Sequence, residues 1–235
     1  MHNYRLGLAV ISGLIAMSAY AGSETDALKE KLESSSPGMH VKSIAPSPLP
    51  GIYEVYASGR IFYSDSKGEH ILAGNLYEVA SKRNLTEERV NVLSTIEFDK
   101  LPFENAIAIT KGNGARKFAV FSDPDCPYCK TLEQHLDKMG LENYTAYIFL
   151  YPLEEIHKDA RAKSEAIWCA TDRAAAWNAW MKEGKLPEKK SCENPVATNR
   201  RLGEMLGVGG TPTIYLDNGK KANTPDELFA ALEAK

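Results

Sequence analysis

The hydrophobic residues in the first third of the chain are arranged as in short strands. Residues 52–56, 61–63 and 71–79 are rich in β-branched and aromatic side chains, and glycine-containing turns at residues 58–59 and 65–68 separate them. Apolar stretches of this length, divided by short polar turns, usually pair with their neighbours in sequence. The pattern therefore predicts a small antiparallel sheet.

Two helical patterns border this sheet. A short one covers residues 25–32, and a longer one covers residues 86–98 and has Thr86 as its expected N-cap. The second pattern has one apolar side, which is typical of a helix that packs against a partner. It predicts a linker helix between two domains, but a surface helix packed on one domain would have the same periodicity.

Beyond Pro102, strand and helix patterns alternate. Three stretches have the length and apolar character of buried strands: residues 106–110, 117–121 and 144–150. A helix-rich insertion over residues 156–206 follows them, and an Asn218-Gly219 turn and a last helix capped at Thr224 come near the end. This order fits a thioredoxin-like domain with a helical insertion, so the predicted class of the whole chain is α+β.

The N-terminus has the pattern of a secretory signal. One basic residue, Arg5, precedes an uncharged run over residues 6–19, and Ala19-Tyr20-Ala21 fits a small-residue cleavage site. We therefore predict that residues 1–21 are a cleaved signal peptide and that the mature protein is exported. A membrane anchor is the alternative, but the run is shorter than the roughly 20 apolar residues of a spanning helix, so no stable membrane insertion is expected.

The net charge of −3 gives no reason to expect a nucleic-acid partner.

Two cysteines lie between a strand pattern and a helical pattern. In Cys126-Pro127-Tyr128-Cys129, Pro127 has the expected first helical position, where a missing N–H costs no hydrogen bond. The free N–H groups and the helix dipole favour the anionic form of Cys126. We therefore predict a Cys126 thiolate of low pKa as the attacking thiol and Cys129 as the resolving thiol.

Cysteines can also bind zinc or form a structural disulfide. A zinc site would need a second Cys or His pair at ligand spacing, and His135 and His157 match no such pattern, so we expect no metal and no cofactor. In an exported protein, an even number of cysteines favours a structural disulfide between Cys169 and Cys192. Two buried free thiols are the alternative for this second pair.

A proline late in the chain is a further candidate for the site. Pro212 begins a strand pattern, where a thioredoxin-like fold would have a cis proline that faces the thiols. A trans proline at a strand edge is the alternative, since most X-Pro bonds are trans. Because proline has no N–H, we expect the backbone of Thr211 to bind an extended substrate segment beside Cys126.

The mature chain resembles the periplasmic disulfide isomerases of the DsbC/DsbG family. The matching motifs are the stretches at residues 126–129, 166–170 (with its partner Cys192) and 209–212. The Trp168-Cys169 segment and the second cysteine pair resemble DsbC, whereas Pro127 replaces the glycine expected there and resembles DsbG. This departure bears on substrate preference and redox potential, because residues between the cysteines act on thiolate stability.

The resemblance implies a domain organisation and an activity. The implied parts are a signal peptide (1–21), a small cystatin-like dimerisation domain (22–85), a linker helix (86–104) and a thioredoxin-like catalytic domain (105–235). The implied enzyme is a homodimeric thiol-disulfide oxidoreductase that isomerises or reduces incorrect disulfides in exported proteins and receives electrons from a membrane thiol reductant of the DsbD type. Its implied substrate-binding residues are Pro127, Tyr128, Thr211 and Pro212.

Four other interpretations remain open at this point. The chain could be a chaperone-like binding dimer, a DsbG-like reductase that protects single oxidised cysteines, or a monomeric oxidase of the DsbA kind. For assembly, the alternative is a monomer whose first domain folds back on the catalytic domain. The two thiols at a helix start favour the enzyme, because a chaperone alone has no need of them.

Overall fold

The structure, a computed structural model, describes residues 15–36 and 38–233, and its chain divides into two compact units. The first unit comprises Met1–Leu76 and the second comprises Tyr77–Lys235. Helices and mixed sheets occur together along the chain, which confirms the predicted α+β class.

The first unit is a helix packed on a four-stranded antiparallel sheet. The helix is α1 (Ile15–Ser35), and the strands follow one another in the sheet as β1 (Val41–Pro46), β2 (Ile52–Ala57), β3 (Arg60–Asp65) and β4 (Ile71–Leu72). Leu28 and Leu32 are one helical turn apart, so both face the sheet, where they pack with Val41, Val55 and Ala57. These five buried residues form the core of the unit.

Strand β1 was not predicted, and a bulge in it explains why. Val41 pairs with Ala57 and Ser43 pairs with Tyr56, so Lys42 is an extra residue between two consecutive pairs. A bulge of this kind breaks the two-residue alternation by which a strand is identified in a sequence.

The single strand predicted over residues 71–79 is wrong. Only Ile71–Leu72 pairs with β3, whereas Tyr77–Glu78 forms β5 and pairs with β6 (Arg83–Asn84) in a separate hairpin. Ile71 and Leu72 are 51% and 62% exposed. Residues with a high strand propensity do not extend a sheet unless one of their faces is buried, because packing provides most of that preference.

Helix α1 begins inside the predicted signal peptide. The rest of that peptide, residues 1–14, lies outside the described residues, so the cleavage site stays a prediction. In the part of the chain that the structure describes, no helix combines the length and the apolar character that a membrane span requires.

The predicted linker helix is shorter than expected. Helix α2 spans Leu85–Leu93, and Asn84 caps it by accepting a hydrogen bond from the Glu87 N–H, a role expected of Thr86. The chain then forms a 3-10 turn at Phe98–Lys100. The single helix predicted over residues 86–98 is therefore a shorter α-helix followed by a separate 3-10 turn.

Contacts of α2 lie within the second unit. The Asn223 side-chain amide donates to the Asn91 side-chain oxygen at 2.9 Å, and the Ile96 N–H donates to the Gly219 carbonyl at 2.9 Å. These contacts favour the interpretation of α2 as a surface helix packed on one domain, and the domain boundaries at residues 86 and 104 stay predictions.

The second unit contains a five-stranded sheet in the order β11, β10, β8, β9, β7, in which only β8 and β9 are parallel. Its strands are β7 (Ile107–Lys111), β8 (Arg116–Ser122), β9 (Tyr144–Leu150), β10 (Thr213–Leu216) and β11 (Lys221–Ala222). Its longer helices after α2 are α3 (Pro127–Lys138), α4 (Ala160–Trp168), α5 (Arg173–Glu183), α6 (Val196–Leu206) and α7 (Pro225–Glu233). A further 3-10 turn lies at Phe103–Asn105.

Strand β8 is buried on both faces. Phe118 and Val120 belong to one apolar cluster, and Ala119 and Phe121 belong to another on the opposite side. Side chains alternate between the faces of a strand, so β8 contributes to both halves of the core. The strand that leads to the cysteine motif is therefore held by packing on both of its faces.

Helix α6 approaches the chain after β9 so closely that only a glycine fits between them. A Cβ atom on Gly203 would lie 2.3 Å from Cε2 of Tyr151, whose own hydroxyl donates to the Val208 carbonyl at 3.2 Å. Tyr151 is almost fully buried and cannot move away without loss of this bond.

We expect Gly203→Ala to lower the free energy of unfolding by about 1–3 kcal/mol, because an added methyl group overpacks this contact. Urea unfolding of the reduced protein measures the effect. Gly210→Ala is the matched control, since a Cβ atom there has open space. Equal unfolding midpoints for Gly203→Ala and the unmodified protein would contradict the close contact.

Candidate active site

The two cysteines of the motif lie where β8 passes into α3. Cys126 is the N-cap of α3 and has extended backbone angles, and Pro127 occupies the first helical turn, as predicted. Cys129 is fully buried inside that turn, whereas Tyr128 is 74% exposed. The motif thus presents a proline and a tyrosine on the surface and keeps the second thiol inside.

A second segment reaches the same corner from the other end of the unit. Strand β10 pairs with β8 and places Thr213 opposite Phe121, so the preceding residues lie beside the end of β8. The Thr211-Pro212 peptide bond is cis, as expected from the sequence. The Cys126 sulfur lies 3.3 Å from the Thr211 carbonyl oxygen, which accepts a hydrogen bond from the thiol when Cys126 is protonated. The structure therefore brings together the four predicted substrate-binding residues and the two thiols.

The surroundings lower the pKa of the Cys126 thiol to about 5. The largest contribution to this lowering is a hydrogen bond from the Cys129 thiol to the Cys126 sulfur. Burial raises the pKa of Cys126, whereas hydrogen bonds from the Thr211 side chain and from the N–H groups of Cys129 and Tyr128 lower it. Among the described residues, the Thr211 hydroxyl is a buried side-chain oxygen with no hydrogen-bond partner, so it is available to a Cys126 thiolate.

Burial has the opposite effect on the second thiol. It raises the pKa of Cys129 far above the usual thiol value, and the hydrogen bond and negative charge of Cys126 raise it further. At neutral pH the pair therefore holds one proton, on Cys129. The helix start alone predicts a low pKa for Cys126, but the largest cause of the lowering is the partner thiol of Cys129.

The other two cysteines are joined to each other. Cys169 and Cys192 form a disulfide with a Cα–Cα distance of 5.7 Å, as the sequence analysis expected. Cys169 directly follows α4, and Cys192 lies between α5 and α6. The bond links two parts of the helical insertion and leaves Cys126 and Cys129 as the free thiols.

Among the described residues, no group of three His, Cys, Asp or Glu side chains could hold a metal ion.

One buried acid beside the motif was missed in the sequence analysis. The Asp123 side chain is completely buried and accepts hydrogen bonds from the N–H groups of Asp125 and Leu153 at 2.7 and 2.6 Å. His157 Nδ1 lies 2.9 Å from the same carboxylate. Asp123 therefore ties the loop before Cys126 to the chain after β9. A polar residue directly after a buried strand was the only sequence signal for it.

Two domain families match the chain. The family described as the disulfide bond isomerase protein N-terminal domain matches residues 19–87, and the thioredoxin-like domain family matches residues 103–234. A probable thiol:disulfide interchange protein DsbC from Bordetella parapertussis is 37% identical over 212 residues, which cover 89% of this chain and 74% of the relative. The chain belongs to the DsbC family.

Other members of the family agree with this assignment. Thiol:disulfide interchange protein DsbC of Escherichia coli K12 is 28% identical over 91% of this chain and 88% of its own length. A crystal structure of a disulfide interchange protein from Neisseria gonorrhoeae is 41% identical, with a TM-score of 0.52, and covers 56% of this chain and 96% of that one. The DsbC resemblance is thereby confirmed, and the chain is a thiol-disulfide oxidoreductase with a thioredoxin-like domain.

We expect the ultraviolet absorbance of the thiolate in the reduced protein to titrate with a midpoint near pH 5, because the pKa of Cys126 is lowered to about 5. Cys126→Ser should remove this transition. Iodoacetamide at neutral pH should alkylate Cys126 and leave the buried Cys129 largely unmodified, as peptide mapping would show. A single transition near the ordinary thiol pKa of about 8.5 would contradict the assignment.

The same lowered pKa predicts how stability depends on pH. A thiol in the unfolded chain has a pKa of about 8.5, so the folded reduced protein binds fewer protons between the two values. The free energy of unfolding of the reduced protein, relative to that of Cys126→Ser, should therefore increase as the pH rises from about 5 to about 8.5. This contribution of the Cys126 thiolate should be lost as the pH falls through about 5.

Proposed function

We propose that this chain isomerises and reduces incorrect disulfides in exported proteins through Cys126 and Cys129. The observation that carries the proposal is the pairing of a low-pKa thiol at the start of α3 with a buried protonated thiol in its first turn. This arrangement supplies a nucleophile and a resolving group at neutral pH.

The proposed reaction begins when the Cys126 thiolate attacks one sulfur of a substrate disulfide. The Cys126–substrate bond forms, the substrate disulfide breaks, and the second substrate sulfur leaves as a thiolate. In isomerisation, another substrate thiolate attacks the mixed disulfide and restores the Cys126 thiolate. In reduction, Cys129 loses its proton and attacks Cys126, which releases the reduced substrate and leaves a Cys126–Cys129 disulfide.

The residues around the thiols fit the binding of an extended polypeptide. Tyr128 and Pro127 are exposed beside Cys126, and they offer an apolar surface to a substrate segment. Pro212 has no N–H, so the backbone groups of Thr211 are the expected partners of the substrate backbone. The carbonyl of Thr211 already contacts the Cys126 sulfur, which places any strand bound there next to the reactive atom.

The proposed cellular setting follows from the family and the N-terminal pattern. An exported disulfide isomerase works in the periplasm, and its oxidised thiol pair requires two electrons before another reduction. A membrane thiol reductant of the DsbD type is the proposed donor. The alternatives of a chaperone alone, a DsbG-like reductase and a DsbA-like oxidase are not favoured, since the Bordetella parapertussis and Escherichia coli relatives carry the DsbC name.

Replacement of Cys129 by Ala should make mixed disulfides with substrate accumulate, because the resolving thiol is missing while the attacking thiol remains. Replacement of Cys126 by Ala should trap nothing and should reduce the refolding of a protein with scrambled disulfides to the uncatalysed rate. Non-reducing electrophoresis and a refolding assay measure the two effects. Trapping by Cys126→Ala alone would reverse the assignment of the two thiols.

We further propose that the first unit pairs two chains. It matches the N-terminal domain family of disulfide bond isomerases, and its outer strand β4 exposes Ile71 and Leu72. Leu49, Ile52 and Leu76 lie with Leu72 along an apolar groove of the same unit. An exposed apolar edge strand is a liability in a monomer, and a second copy would cover it symmetrically.

Replacement of Leu72 by Glu should convert a dimer into a monomer, because a charge would be buried in the paired edge. Analytical ultracentrifugation of the mature chain at micromolar concentration measures the change. Val92→Glu is the matched control, since Val92 is 65% exposed on α2 in the other unit. A monomeric unmodified protein, or a Leu72→Glu variant that remains dimeric, would contradict the proposed interface.

A further inference from the structure

Two side chains of the helical insertion hold the loop that leads into Cys126. The Lys163 ammonium group, on α4, lies 2.7 and 2.8 Å from the two carboxylate oxygens of Asp125. The Trp180 indole N–H, on α5, donates to the Pro124 carbonyl oxygen at 2.7 Å. The two residues directly before Cys126 are therefore positioned from outside the strand and helix that carry the thiols.

The contact between Lys163 and Asp125 is sheltered from water. Their side chains are 22% and 17% exposed, and Lys163 Nζ also lies 5.0 Å from the centroid of the Trp180 ring. By comparison, the Arg161–Glu165 pair on the same helix is 48% and 36% exposed. Solvent and salt screen a sheltered pair less than an exposed one. The Lys163–Asp125 contact is therefore less screened than the Arg161–Glu165 pair.

Asp125 would otherwise oppose the chemistry of its neighbour. A carboxylate next to a cysteine disfavours the thiolate, because like charges repel, and a cation that contacts the carboxylate cancels most of that effect. The titratable and charged groups around this corner are Asp123 with His157, Asp125 with Lys163, Lys130 beside Trp180, and Cys129. Of these, Lys163 is the cation in direct contact with Asp125.

We propose that Lys163 is a positioning residue for Cys126, which it serves by neutralising Asp125 and thereby keeping the attacking sulfur in its thiolate form. This inference rests on the proposed role of Cys126. It gives the helical insertion a part in the reaction, since α4 would supply the cation that contacts Asp125.

The test is a thiolate titration of three full-length variants by ultraviolet absorbance. Lys163→Met removes the charge but keeps most of the aliphatic stem, and it should raise the midpoint by about one pH unit. It should also slow alkylation by iodoacetamide at mildly acidic pH by up to about tenfold, in proportion to the lost thiolate. Lys163→Arg should restore the normal midpoint. The double variant Asp125→Asn/Lys163→Met should restore it too, because both charges are then gone.

Lys182→Met provides the matched control. Lys182 lies on α5 and pairs with Asp137 at 2.5 Å, with side chains 26% and 40% exposed, so it also joins the insertion to α3. Asp137 is near the C-terminal end of α3, far along the helix from Cys126. The midpoint of Lys182→Met should equal that of the unmodified protein, and an equal shift in both lysine variants would overturn the proposal.

Further outcomes separate charge from packing. A normal midpoint in Lys163→Met overturns the proposal, and a double variant that is shifted as far as Lys163→Met assigns the effect to a displaced loop and overturns it as well. If Lys163→Met does not fold, Asp125→Asn alone decides, since it should leave or lower the midpoint and a raised midpoint contradicts the proposal. Cys126→Ser identifies the titrating group. If the transition near pH 5 persists in Cys126→Ser, the proposed role of Cys126 itself is wrong. If Cys126→Ser removes the transition, the results of the Lys163 variants bear on Lys163 alone.

Discussion

The hydrogen bond between the two thiols is the interaction on which the proposed chemistry depends. It lowers the pKa of Cys126 more than any other contact, and it raises the pKa of Cys129, which burial already raises. The bond requires that both sulfurs be held together at the start of α3, where Cys126 is the N-cap and both cysteines are buried. Strand β8 meets this requirement, because its two buried faces hold the start of α3 in place.

The rest of the site is assembled from segments that are distant in sequence. Thr211 comes from the loop before β10, and Asp123 connects the end of β8 with the chain after β9. Lys163 reaches the same loop from α4. Each of these contacts acts on the few residues around Cys126, so the reactive sulfur is held by the sheet, by the cis-proline loop and by the helical insertion at once.

The sequence predicted the parts of this arrangement that depend on local patterns. Strand β8, the helix start at Cys126 and the Asn218-Gly219 turn each have a signal within a few neighbouring residues. The bulge at Lys42, the early end of α2 and the bond between Asp123 and His157 have no such signal, because tertiary contacts determine them. The cis bond before Pro212 lies between these cases, since the resemblance to a family, rather than the residues alone, made it the expected isomer.

The difference between the two thiols also bears on the choice between isomerisation and reduction. Reduction requires an ionised Cys129. In the mixed disulfide the negative charge of Cys126 is gone, but burial, the largest cause of the raised pKa of Cys129, still disfavours the ionised form. The mixed disulfide at Cys126 then lasts longer, which gives a second thiolate of the substrate time to attack it. At the same time, the low pKa of Cys126 makes its sulfur a good leaving group in that attack. The burial that suppresses resolution and the hydrogen bond that favours the Cys126 thiolate therefore act together to favour rearrangement of a substrate disulfide over its reduction.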